Sequence, residues 1–137
     1  MTVAEVIGTF ARAWNTGDDA ARRRLLTACC LPDAVFAAPQ GTITGTGALA
    51  ASIAGFRRAF PAAVVSFGLP EEHGGFARVA WVTRFNSGQP DLAGEDFAQL
   101  AADGRIRLLV SFDGVPQPCP LTTASLRPQW SRGTSPP

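Results

Sequence analysis

The sequence predicts an α+β domain in which three N-terminal helices cover one face of a curved antiparallel sheet. Apolar residues recur at helical spacing as far as Phe60 and alternate in the manner of strands from Ala63 onward. A length of 137 residues is near the commonest size of one domain and leaves no room for a second core. Helices followed by a run of strands is the α+β order. The space between the two layers is a candidate pocket.

Val3, Val6, Ile7, Phe10, Ala13 and Trp14 form one stripe, so residues 3–15 read as an amphipathic helix ended by Asn15-Thr16-Gly17. Asp18 or Asp19 can cap a second helix, with Ala21, Leu25, Leu26 and Cys29 turned inward and Arg22, Arg23 and Arg24 facing solvent. Pro32-Asp33 breaks that helix, Ala34 to Ala38 is a short extended run, Pro39-Gln40-Gly41 turns the chain, and a short strand leads to Gly45. Thr46 can cap a third helix carrying Leu49, Ile53, Phe56 and Phe60, which Pro61 stops. The meander that follows has strands at Val64–Leu69 and Phe76–Phe85, joined by a turn over Pro70–Gly75. Asn86-Ser87-Gly88 and a connection through Gly94 lead to a strand at Glu95–Ala101. Ala102-Asp103-Gly104 then turns into the last strand, Arg105–Phe112. Residues 1–114 make the domain. Residues 115–137 are rich in Pro and Ser and are expected to be a mobile tail, whose Trp130 either docks on the domain or a partner subunit or is solvated.

Composition excludes several classes of function. A net charge of +1 gives no field for nucleic acid or an anionic membrane. No apolar run approaches the roughly 20 residues that span a bilayer. Met1–Ile7 carries Glu5 and lacks the basic start of an export signal, so a soluble, cytoplasmic protein is expected. Cys29, Cys30 and Cys119 are odd in number and lack metal-ligand spacing, which fits a reducing compartment. The adjacent pair is either a redox or metal site or small apolar filler at a helix end. Gly45-Thr46-Gly47 lacks both the dinucleotide pattern and a P-loop lysine, and the chain has no lysine at all, so no nucleotide cofactor is expected.

His73 is the only histidine and a candidate acid or base. Its setting, Glu71-Glu72-His73-Gly74-Gly75, reads as a solvated hairpin turn. One histidine with scattered carboxylates cannot supply the usual zinc ligands, so no metal is expected. Strand alternation groups Val79, Trp81 and Thr83 on one face and turns Arg78 and Arg84 outward. Trp81 is then a pocket wall or a core residue, and Trp14 on the stripe of Phe10 is its counterpart across the hollow.

In order and punctuation the chain resembles the nuclear transport factor 2-like superfamily, in its SnoaL-like polyketide cyclase and ketosteroid isomerase-like branch. The resemblance covers residues 3–113. It is carried by Phe10 through Trp14-Asn15-Thr16-Gly17-Asp18, Asp33-Ala34-Val35, Pro39-Gln40-Gly41 with Gly45, Pro61, His73, Arg78, Trp81, Gly94-Glu95-Asp96-Phe97 and Asp103-Gly104-Arg105-Ile106. It implies a cone-shaped shell around a pocket, often paired into homodimers through the outer face of the sheet. At the position of the isomerases' donor tyrosine stands Phe10, and at that of their proton-shuttling aspartate stands Ala38, so that mechanism is incomplete here. Asp96 matches the buried acid that those enzymes keep protonated. Among Trp81, Phe10 and Leu109 its carboxyl would be desolvated and held in the neutral, hydrogen-donating form, unless it ties down a strand or an indole instead. Related epoxide hydrolases set an arginine between acids. Here Arg84 lacks them and Ser111 takes the place of the final aspartate, with Asp113 displaced by two residues.

The resemblance therefore implies an enzyme that performs acid-assisted isomerisation, cyclisation or hydration on a small apolar oxygenated substrate. Asp96 is its acid, and Phe10, Trp14, Phe56, Val79, Trp81, Thr83, Leu109 and Ser111 bind the substrate. A non-catalytic ligand-binding module and a dimeric interaction module are the alternatives.

Overall fold

The computed structural model describes residues 1–114, and the expected tail, Trp130 and Cys119 lie outside the described residues. α1 (Val3–Asn15) begins at a capping box, in which Thr2 and Glu5 each accept the other's backbone N–H, and it buries Val6, Ile7, Phe10 and Ala13. Asp18 caps α2 (Asp19–Cys29) by accepting from the Ala21 amide at 2.7 Å. The arginine triplet divides: Arg23 and Arg24 are exposed, whereas Arg22 is 1% exposed, contrary to the solvent face read from the sequence. Its guanidinium reaches back to the Thr16 carbonyl and to Asp19, so hydrogen bonds offset part of the cost of burying its charge.

β1 (Cys30–Ala38) follows α2 without a break, so Pro32-Asp33 lies inside a strand and does not terminate the helix by itself. Pairing with the last strand is interrupted between Cys30 and Val35, which is where a residue without an N–H can sit. Pro39-Gln40 joins β1 to β2 (Gly41–Thr44). α3 (Thr46–Ala59) is capped by Gly45 at φ 91° with no side-chain acceptor. Thr46 is the first helical residue and not the cap, because the chain must pass through a left-handed conformation one position earlier.

β3 (Val64–Phe67) is shorter than expected, and the presumed turn contains β4 (Glu71–His73), which pairs with the start of β5 (Phe76–Arg84). β6 (Leu92–Leu100) takes in Gly94, read from the sequence as a connector, and β7 (Ile106–Asp113) closes the order. The strands run β2-β1-β7-β6-β5-β3, with β4 beside β5. The expected antiparallel meander is there in β3, β5, β6 and β7. β1 joins β7 in parallel, making the curved, unclosed sheet mixed. That parallel contact is possible because α3 and five strands intervene in the chain. The core gathers Phe10 and Ala13 of α1, Leu26 of α2 and Ile53 of α3 over Phe36, Ile106 and Leu109 of the sheet. No helix among the described residues is long and apolar enough to cross a membrane.

Candidate functional site

The hydrophobic core does not fill the cone. Between the inner face of the sheet and α1 and α3 lies a cavity of about 600 Å³, the size range of small-molecule sites. Its aromatic lining continues across elements. Phe10 packs edge-on to Phe67 at 5.9 Å and stacks near Phe36 at 6.3 Å, while Trp14 meets Phe56 edge-on at 5.5 Å and Phe56 leads to Phe85 at 6.3 Å.

Into this apolar wall the sheet sets a few polar side chains. Asp96 on β6 stands opposite Ser111 on β7, with Asp113 one inward step further along the same strand. Asp96 is 4% exposed, and burial raises its carboxyl from 3.8 to about 6. The Ser111 hydroxyl and the Trp81 indole pull the other way, and the negative charge of Asp113 adds to the rise. Neither donor closes a well-formed hydrogen bond, for Asp96 Oδ1 and Trp81 Nε1 are both buried without a partner. An unpartnered acceptor and an unpartnered donor thus lie buried just behind the wall of one cavity.

Of the residues selected from the sequence, Asp96, Phe10, Trp14, Phe56, Trp81, Thr83, Leu109 and Ser111 come together on this lining. Val79 does not. The cavity takes up β5 at Trp81 and runs through Thr83 and Phe85, so Val79, one inward step earlier, is buried outside it. His73 is exposed at the end of β4, away from the cavity, because its strand pairs with the outer end of β5. Phe36, Phe67, Phe85, Gln40, Thr42 and Leu92 were missed and belong to the lining. Phe85 was legible as the next step of the Trp81-Thr83 alternation, and Gln40 as the tip of a turn. Phe36 and Phe67 face the cavity only through the pairing of their strands.

Cys29 and Cys30 are buried with their sulfurs 3.7 Å apart, and the Cys29 thiol together with burial holds the Cys30 thiol far above its ordinary value. The Cys30 thiolate that metal binding or oxidation at that sulfur would use is therefore disfavoured. Among the described residues, no three His, Cys, Asp or Glu side chains cluster as a metal site would require.

Three helices over a mixed, curved and unclosed sheet make the nuclear transport factor 2-like, or cystatin-like, α+β cone. The SnoaL-like domain profile matches residues 7–109, and the chain belongs to that family. It is similar to a protein of the SnoaL-like family from Agrobacterium tumefaciens, described as an isomerase, with 29% identity over 84% of this chain and 100% of that one and a TM-score of 0.74. A cystatin-like-fold protein from Methylobium petroleophilum matches at 20% identity and a TM-score of 0.71, over 88% of this chain and 80% of that one. A nuclear transport factor 2-like protein from Cytophaga hutchinsonii matches at 16% identity and a TM-score of 0.64, over 83% of this chain and 91% of that one. These last two likenesses concern the fold alone. No curated protein matches the chain.

Proposed function

We propose that the chain is a SnoaL-like enzyme that isomerises, cyclises or hydrates a small, largely apolar oxygenated molecule, with Asp96 as its acid. The observation that carries this reading is a carboxyl lining an aromatic cavity, nearly inaccessible to solvent, with one oxygen unpartnered and its titration moved to about 6. In its neutral form Asp96 donates its proton toward a substrate carbonyl or ether oxygen, with the Trp81 N–H as a second donor. Withdrawing electrons at that oxygen eases loss of a neighbouring C–H proton to water, attack by an internal carbon or entry of water, which are the three reactions named. An acid that titrates near neutrality can both give and recover a proton in one cycle. The description of the Agrobacterium tumefaciens relative as an isomerase supports the same class.

Asp96→Asn is the direct test, using exchange of hydrogen for deuterium beside the carbonyl in a panel of small polycyclic ketones and enones in D₂O. The wild type should catalyse exchange, with a rate that falls above about pH 6, and the variant should lose it while binding within about tenfold. Exchange that survives in Asp96→Asn would remove the acid from the mechanism. A second reading, a ligand-binding module without turnover, is favoured by Phe10 and Ala38, which line the cavity without a polar group. Binding with no exchange in either protein would select it.

A cytoplasmic location and a homodimer formed through the outer sheet face complete the reading. Phe97 and Phe112 on that face are 41% and 55% exposed, with ring centroids 5.9 Å apart, and offer an apolar contact. Sedimentation of the wild type as a dimer and of Phe112→Glu as a monomer would support it, and a monomeric wild type would exclude it.

A further inference from the structure

A second hollow, of about 220 Å³, lies between α2 and α3 and shares no residue with the aromatic cavity. On α3 its surface is Gly47, Ala50, Ala51 and Ala54, which share one helical face and leave it shallow. The remaining lining is charged: Asp19, Arg22, Arg23 and Arg58. Three guanidinium groups meet one carboxylate, a local surplus of two positive charges on a chain whose net charge is +1.

The carboxylate is already engaged, since Asp19 Oδ1 accepts from Arg22 Nη1 at 2.6 Å. Arg23 and Arg58 form no ion pair among the described residues. Arg22 is 1% exposed, and its Nε has no hydrogen-bond partner. A buried guanidinium with an unanswered N–H is costly unless negative charge approaches it. The start of α3 adds to the same field, because its Gly45 cap supplies no side-chain acceptor and Gly47 of its first turn lines the hollow.

Each of these features lacks the same partner: a compact group with negative charge and several acceptor oxygens. Guanidinium forks match tetrahedral oxyanions, and a charge surplus of two matches a dianion. A hollow of about 220 Å³, about seven times the share of one liquid water, has room for such a group. We infer that the groove between α2 and α3 binds a phosphoryl group, either free phosphate or the phosphate of a small monoester. Arg23 and Arg58 supply the forked donors. Arg22 is a positioning residue, holding the first turn of α2 against Thr16 and adding its charge from below the surface.

The test titrates the full chain with inorganic phosphate and, separately, with phenyl phosphate, at constant ionic strength set by chloride. Binding is followed through the backbone amide and arginine Nε resonances. Saturable shifts confined to Asp19–Arg23 and Thr46–Arg58 are expected. Arg23→Gln and Arg58→Gln change exposed side chains and should fold normally, and each should weaken binding by about tenfold. Arg24→Gln, on α2 but outside the hollow, should leave it unchanged. Tighter binding of the monoester identifies a carried phosphoryl group, and equal binding identifies the free oxyanion. Absence of saturation would overturn the inference. So would an Arg24→Gln loss equal to that of Arg23→Gln, which would mark diffuse attraction to a basic helix.

Discussion

The Trp81 indole occupies the space that a side chain at position 94 would fill. A β-carbon on Gly94, the cross-strand partner of Trp81, would stand 2.5 Å from Cζ2 and 2.8 Å from Cε2 of the ring, and closer still to the Phe112 carbonyl oxygen. The ring edge reaches over β6 because Gly94 has no side chain to hold it off, and Gly94 stands two residues along the strand from Asp96. Gly94→Ala should therefore displace the indole or part β6 from β7, at a cost of about 3 kcal/mol. Urea unfolding and the near-ultraviolet circular dichroism of the indole would read both effects. A variant that unfolds at the wild-type midpoint would show that the strand yields without strain.

Asp96 makes stability depend on pH in a direction opposite to that of a salt-bridged acid. Its folded value of about 6 lies above the ordinary 3.8, so between those values the folded chain holds a proton that the unfolded chain has released. The contribution is complete below 3.8, declines as pH rises and is lost above about 6. The full decline corresponds to about 3 kcal/mol. Asparagine carries no charge at any of these pH values. The stability of Asp96→Asn relative to wild type should therefore rise by as much as about 3 kcal/mol between pH 3.5 and pH 7, measured by denaturant unfolding at each pH. A difference that is flat with pH would mean that the carboxyl is solvated.

Periodicity carried the helices and the meander into view because each buries a single face, and a buried face imposes its repeat on the sequence. Arg22 was misplaced for the same reason. A run of three arginines reads as a wet surface, and nothing local reveals that the first can fold back onto the Thr16 carbonyl. β4 was hidden by charge, since Glu71, Glu72 and His73 are all exposed and show no alternation. The parallel joining of β1 to β7 is a long-range fact with no local signature. In the site, alternation located Trp81 and Thr83 and the family resemblance located Asp96, all of which the cavity reaches. Alternation could not say where along β5 the core ends and the hollow begins, and so it included Val79.

Arg22→Ala tests the buried arginine as a structural element apart from any ligand. The substitution leaves the Thr16 carbonyl without its guanidinium donor and opens space among the first turns of α2, while Asp19, 67% exposed, can return to water. Because no buried charge is orphaned, the loss should be about 1–3 kcal/mol and not the larger figure for a broken buried pair. Arg23→Ala, one residue on and exposed, should stay within about 0.5 kcal/mol. Thermal unfolding of the two variants under one buffer would separate them, and equal midpoints would mean that Arg22 contributes nothing by being buried.

Asn15 ties the end of α1 to the edge strand β3 by imitating a strand. Its Oδ1 accepts from the Val65 amide at 2.9 Å, and its Nδ2 donates to the Val65 carbonyl at 2.8 Å and to the Ala11 carbonyl at 2.9 Å. Asn15→Ala leaves the Val65 pair unanswered in a partly buried setting and should cost about 2 kcal/mol, near one for each lost bond. Asn15→Asp keeps the acceptor but turns a carboxylate oxygen toward two carbonyls, so at pH 7 it should be worse than alanine. Below the ordinary carboxyl value of about 3.9 a protonated aspartic acid regains a donor, and the deficit relative to wild type should shrink. If aspartate and alanine are equally destabilising at pH 7, the side chain at this position does not face the Val65 carbonyl, and the closure of the cone at this edge rests on packing alone.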